Sequence, residues 1–213
     1  LVLGWRNFPT PFANDAALQA AISGLEDGWY LVGSVNLRFV ENGAQSAERT
    51  RIISPVTKST AGYKVSNMRL AGRTVSSVRD LFVADNLWKL TMDDVWAYGA
   101  GGRGFVFNQC LHVYAEGLRS DDTVSHSLEC TGGDNTTITL NRPYLRATHE
   151  GAGIKANCIG LTTVGAICEG IGGRGGSDTY APGIWVAGGN ATLLGCYFED
   201  VRGHNVFCEA GVT

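Results

Sequence analysis

Glu116, Glu169 and Glu199 each close a nine-residue segment of one recurring pattern, and that closing position is where chemistry is best supported. The segments are LTMDDVWAY (Leu90–Tyr98), NQCLHVYAE (Asn108–Glu116), ITLNRPYLR (Ile138–Arg146), LTTVGAICE (Leu161–Glu169) and ATLLGCYFE (Ala191–Glu199). Hydrolysis of a glycosidic bond needs two carboxyl groups roughly 5–9.5 Å apart, one to protonate the leaving oxygen and one to attack or to activate water. Glu169 and Glu199, in successive copies, are expected to meet that separation, and Glu116 is expected across the gap that Arg146 leaves. Carboxylates stacked directly repel, so their adjacency marks either a working site or a loop between them.

The seventh position of the copies reads Trp96, Tyr114, Tyr144, Ile167 and Tyr197, and the ninth reads Tyr98, Glu116, Arg146, Glu169 and Glu199, with Asp200 following. Flat rings cover the apolar faces of sugars, while carboxylates and a guanidinium bond hydroxyl or uronate groups. These side chains, with Trp185 from a second recurring segment, are the expected binders of an extended polysaccharide. The competing expectation is a subunit interface, which uses the same exposed aromatics. Elimination chemistry would need a base such as Lys155, Arg142, Arg146 or Arg174 beside a neutralised uronate. No acidic cluster has calcium spacing, so hydrolysis ranks above elimination.

These groups must be carried on strands. Positions six and eight are apolar or small in every copy, the alternation of a strand with one buried and one outward side. The seventh positions recur after 18, 30, 23 and 30 residues, which implies a stacked solenoid with loops of variable length. A second strand recurs as GFVF (from Gly104), SLEC (Ser127), GIKA (Gly153), GIWV (Gly183) and NVFC (Asn205). Phe105, Leu128, Ile154, Ile184 and Val206 are expected to form one inward column, and Phe107, Cys130, Ala156, Val186 and Cys208 another. Val106, Glu129, Lys155, Trp185 and Phe207 then point outward.

Composition limits the rest. The 213 residues include 29 glycines and 5 prolines, a balance suited to short strands and tight turns. A net charge of −3 and the lack of a Lys/Arg cluster argue against a nucleic-acid partner. No run approaches the ~20 apolar residues that cross a membrane. The six cysteines fall inside the repeats and are read as buried thiols, not disulfides, and neither they nor the four histidines have metal-ligand spacing. No cofactor or metal is expected. The Gly170–Gly176 run is a turn, not a phosphate loop.

The chain divides into a lead-in with one helix and first strands (1–40), early irregular turns (41–86) and regular turns (87–213), one continuous domain that reads as truncated at its C-terminus. The segment NDAALQAAISGL carries the helix: Asn14 or Asp15 caps it, Leu18, Ile22 and Leu25 form its stripe, and strands follow. A helix of this kind, a Gly-containing link and then irregular turns resembles the start of pectate-lyase-like right-handed β-helix proteins, a group that includes phage tailspikes and capsule depolymerases. The resemblance implies an all-β, single-stranded right-handed parallel β-helix capped by that helix. It also implies a homotrimeric receptor-binding protein of a virion tail that recognises a bacterial capsule or O-antigen polysaccharide, either by binding alone or with cleavage, in which case as a glycoside hydrolase. A secreted pectinase-like lyase or hydrolase, or a non-catalytic adhesive solenoid, are the alternatives.

Overall fold

The computed structural model describes residues 30–31, 35–38, 50–53, 62–71, 80–132, 135–173 and 181–212. The expected capping helix at Asn14–Leu25 lies outside them. Every strand pairing among the described residues is parallel, and the seventeen strands form one continuous coiled sheet, a β-solenoid with no helix among these residues. Parallel pairing follows from the repeat: each turn presents the same alternation to the turn above it.

The cross-section has three faces. The first stacks 62–66, 89–93, His112–Glu116, Thr137–Asn141, 160–164 and 190–194. The second stacks 68–71, 95–98, Arg119–Thr123, Tyr144–Thr148, Ile167–Ile171 and Tyr197–Glu199. The third stacks Phe82–Asp85, Phe105–Asn108, Leu128–Thr131, 154–156, 184–186 and Val206–Cys208. The backbone pairings of Tyr30–Leu31, Val35–Arg38 and Thr50–Ile53 add one further layer to the three faces in turn.

A single residue turns the chain from the first face to the second. At successive levels it is Asn67, Asp94, Gly117, Arg142, Gly165 and Gly195, all with φ between 48° and 63°. That left-handed conformation suits Gly, Asn and Asp, and Arg142 bears its cost. Inside, Leu90, Val113, Ile138 and Leu161 stack on the first face, and Val95, Leu118 and Leu145 lie just beyond the corner, all buried. The third face supplies the columns expected from its sequence: Phe105, Leu128, Ile154 and Ile184 are buried in register, as are Phe107, Cys130, Ala156 and Val186. Val206 and Cys208 continue the columns on the last described level, where both are exposed.

All six cysteines are free thiols, four of them buried. Burial pushes the Cys110 thiol up to about 11 and that of Cys168 up to about 12, so both behave as small apolar groups. One polar cluster interrupts the core near the second-to-third corner. There the Ser127 and Thr148 hydroxyls lie 2.9 Å apart, with Thr123 3.3 Å from Ser127.

The register corrects one of the five copies. Leu90 pairs with Val113, not with Asn108, so the second copy runs VYAEGLRSD from Val113 to Asp121. Trp96 then aligns with Arg119, Tyr144, Ile167 and Tyr197, at steps of 23, 25, 23 and 30 residues. The physical marker is Gly117, which takes the same corner position as Gly165 and Gly195. The same register extends back to Tyr63, the partner of Leu90, and gives a further copy, YKVSNMRLA.

Candidate active site on the second face

The corrected register sorts the expected site residues onto three faces. Tyr114 lies on the first, between Thr91 and Thr139, and Glu116 lies beside it. Glu116 accepts hydrogen bonds from Arg142 Nε (2.8 Å), Arg142 Nη2 and Asn141 Nδ2. The Arg142 guanidinium holds its carboxyl below the ordinary range, with Asn141 helping. Glu116 therefore latches the corner of the next turn and lies apart from the other two glutamates. Trp185 lies on the third face, where its Nε1 donates to Glu209 Oε1 at 2.9 Å and Lys155 Nζ sits 4.8 Å from its ring centroid. Neither Tyr114 nor Trp185 can share a groove with the second face.

The second face retains Trp96, Tyr98, Tyr144, Arg146, Glu169, Tyr197, Glu199 and Asp200. Its outward column at position seven reads Arg69, Trp96, Arg119, Tyr144, Ile167, Tyr197. Arg69 and Arg119 lie 4.8 and 4.9 Å from the Trp96 ring centroid, and Arg119 also lies 4.9 Å from that of Tyr144. Guanidinium groups thus stack on the aromatic rings along the column, each contact a cation–π interaction. The indole N–H of Trp96 is buried without a partner, so it is not offered to a ligand. An aromatic platform for sugars is therefore not what Trp96 presents.

The position-nine column reads Tyr98, Asp121, Arg146, Glu169, Glu199. Arg146 makes a two-pronged contact with buried Asp121, Nε to Oδ1 at 3.1 Å and Nη2 to Oδ2 at 3.1 Å. This fork-to-fork arrangement fixes the plane of the guanidinium. Next along the axis, the Tyr144 hydroxyl donates to Glu169 Oε2 at 2.6 Å, and the Tyr197 hydroxyl donates to Glu199 Oε2 at 3.0 Å. Each carboxylate raises the pKa of its tyrosine, so both phenols remain donors at neutral pH. Among the described residues Asp200 has no hydrogen bond or ion pair.

Arg146, Glu169, Glu199 and Asp200 line a cleft of about 280 Å³, with Gly170, Gly173 and the Ala147 backbone corner as the rest of its wall. Ala147, Gly170 and Asp200 all have positive φ, at 54°, 64° and 51°. Asp122 and Gly99 share that conformation one and two levels earlier, at 58° and 71°. The strain is thus a requirement of this corner at every level and is not peculiar to the cleft. Glu169 and Glu199 are direct partners on adjacent strands, which are ~4.8 Å apart.

Sequence reasoning missed Arg69 and Arg119 and gave Asp121 no place in the column. Aligning Gly117 with Gly165 and Gly195 would have exposed all three. Comparisons with protein-family models, curated proteins and solved structures returned no match. The class of protein that fold and site define is therefore a parallel β-solenoid whose second face carries a cleft rich in carboxylates.

Proposed function

We propose that the chain binds a polysaccharide along its second face and hydrolyses it in the Arg146–Glu169–Glu199–Asp200 cleft. The observation that carries this reading is the adjacency of Glu169 and Glu199 on paired strands, each held by a tyrosine hydroxyl, at the wall of one cleft. Two carboxylates gain nothing structurally from being stacked without a cation between them. Glu169, next to Arg146 and bonded by Tyr144, is the nucleophile in this scheme. Glu199, exposed and able to exchange protons with water, donates to the leaving oxygen and later activates water. Arg146, clamped by Asp121, orients a sugar hydroxyl.

The setting that fits is a tailspike-type receptor-binding solenoid that attacks bacterial surface polysaccharide as a trimer. Its support is the solenoid architecture together with the sequence resemblance. The test is incubation with capsular and O-antigen polysaccharides, followed by mass analysis of the products. Hydrolysis adds one water per cut, elimination leaves an unsaturated sugar, and Glu169→Gln should abolish the former. If no polysaccharide is bound or cut, the reading fails. Light scattering that shows a monomer removes the tailspike setting but not the cleft chemistry.

A further inference from the structure

We propose that the Arg69–Trp96–Arg119–Tyr144 column is a second binding site, which holds the negatively charged groups of an acidic heteropolysaccharide. Both arginines are exposed, and among the described residues neither has a hydrogen bond or ion pair; their guanidinium groups stack on rings. An unpaired arginine on a surface is ordinary, but these two are already stacked on rings. Arg119 is held between two ring faces and Arg69 against one. Little rotamer freedom remains to be lost when an anion arrives, and the N–H edges of each planar group remain available for a carboxylate, sulfate or phosphate. Nearby Asp121 does not neutralise Arg119, because its carboxylate is occupied by Arg146.

The spacing narrows the ligand. Arg69 and Arg119 lie two levels apart on the second face, about 9.6 Å along the axis, with an uncharged Trp96 between them. Further along the same face the charge reverses: Glu169, Glu199 and Asp200 repel an anion at the cleft. A homopolymer of uronic acid would place carboxylates on every level, including beside those three. A chain that alternates acidic and neutral sugars matches the two arginines and leaves a neutral unit for the cleft. The covered faces of Trp96 offer no platform on which the bases of a single strand could stack. This inference rests on the polysaccharide reading for the identity of the ligand, but its site is separate from the cleft.

The test is equilibrium binding of the whole chain to four probes: hyaluronan as an alternating uronate–neutral polymer, its carboxyl-reduced form, polygalacturonate and a single-stranded oligonucleotide. Hyaluronan should bind at least about tenfold tighter than the other three, and more weakly as salt is added. Arg69→Gln and Arg119→Gln should each cost about tenfold in affinity and make the logarithmic salt slope shallower by about one. Arg119→Lys keeps a charge and should keep the slope while losing part of the affinity, which separates recognition from simple support of the column. Equal binding of the carboxyl-reduced polymer, no effect of either glutamine variant, tighter binding of the oligonucleotide, or no binding of hyaluronan overturns the proposal. Glu169→Gln is the matching variant of the cleft and is read by hydrolysis. If that variant alone loses hydrolysis while the arginine variants bind normally, the cleft stands and this site falls; the reverse pattern rejects the cleft and retains this site.

Discussion

The outward sides of the second and third faces are built from the same kinds of residue and use them in opposite ways. On the third face the charges of the described residues have partners. Arg103 bonds Asp80 through Nε (2.9 Å) and Nη2 (2.6 Å), and its Nη1 bonds Glu129. Lys155 closes the chain on Glu129 Oε1 at 3.2 Å and then rests on Trp185. Burial pushes the Glu129 carboxyl up, but Arg103, His126 and Lys155 outweigh it and hold the group below its ordinary range. On the second face, among the described residues, Arg69 and Arg119 have no anion, Asp200 has no partner, and Glu169 and Glu199 have only tyrosine hydroxyls. Charges that hold a solenoid together neutralise one another; charges left unmatched at fixed spacing are available to something else.

Substitutions can break that contrast from either side. The largest effect is expected at Glu169→Gln, which should lower hydrolysis by about 10²–10⁴-fold in a product-release assay while the thermal midpoint stays within about two degrees of the parent. Arg103→Met should do the opposite. Removing the cation from a mostly buried network takes the two-pronged partner from Asp80 and leaves Glu129 to Lys155, and should cost about 3 kcal/mol in chemical denaturation, with polysaccharide binding retained in what remains folded.

Acid titration sharpens the same point. Glu129 has a depressed folded-state pKa, so its contribution is complete above its unfolded value of about 4.3 and is lost as pH falls through the folded value. The parent midpoint should therefore fall more steeply below about pH 4.3 than that of Glu129→Gln. A smaller effect is expected for Glu169→Gln combined with Glu199→Gln, which relieves like-charge stacking and should raise the midpoint by about one degree. Smallest is Arg142→Ala. Its pair with Glu116 is exposed, and calorimetry should find the midpoint shifted by no more than about a degree.

Much of the fold was legible because inward columns repeat in chemical type. Phe105, Leu128, Ile154 and Ile184 could be read in register directly, and Glu169 was correctly paired with Glu199 since both copies share a Gly at the corner. The second copy misled because Tyr114 and Glu116 imitate the aromatic and acidic positions of the second face while standing on the first. Composition of an outward strand is weakly constrained by the core, so Arg119 could replace an aromatic at position seven without disturbing packing. The third-face network was illegible for a different reason. Asp80 and Arg103 sit at chain corners, 23 residues apart, where no periodic pattern announces a partner.

The one-residue corner between the first and second faces has a consequence for how such a chain can change. Adding or deleting one residue there would reverse the alternation and turn Arg119 or Glu169 into the interior, so length changes must fall elsewhere, as between Ile171 and Ile184. The second face is thereby a ruler with graduations of about 4.8 Å, and its spacing survives any rewriting of the loops. Gain or loss of a whole turn keeps the alternation, and would lengthen or shorten the reading frame for a ligand without blurring its marks.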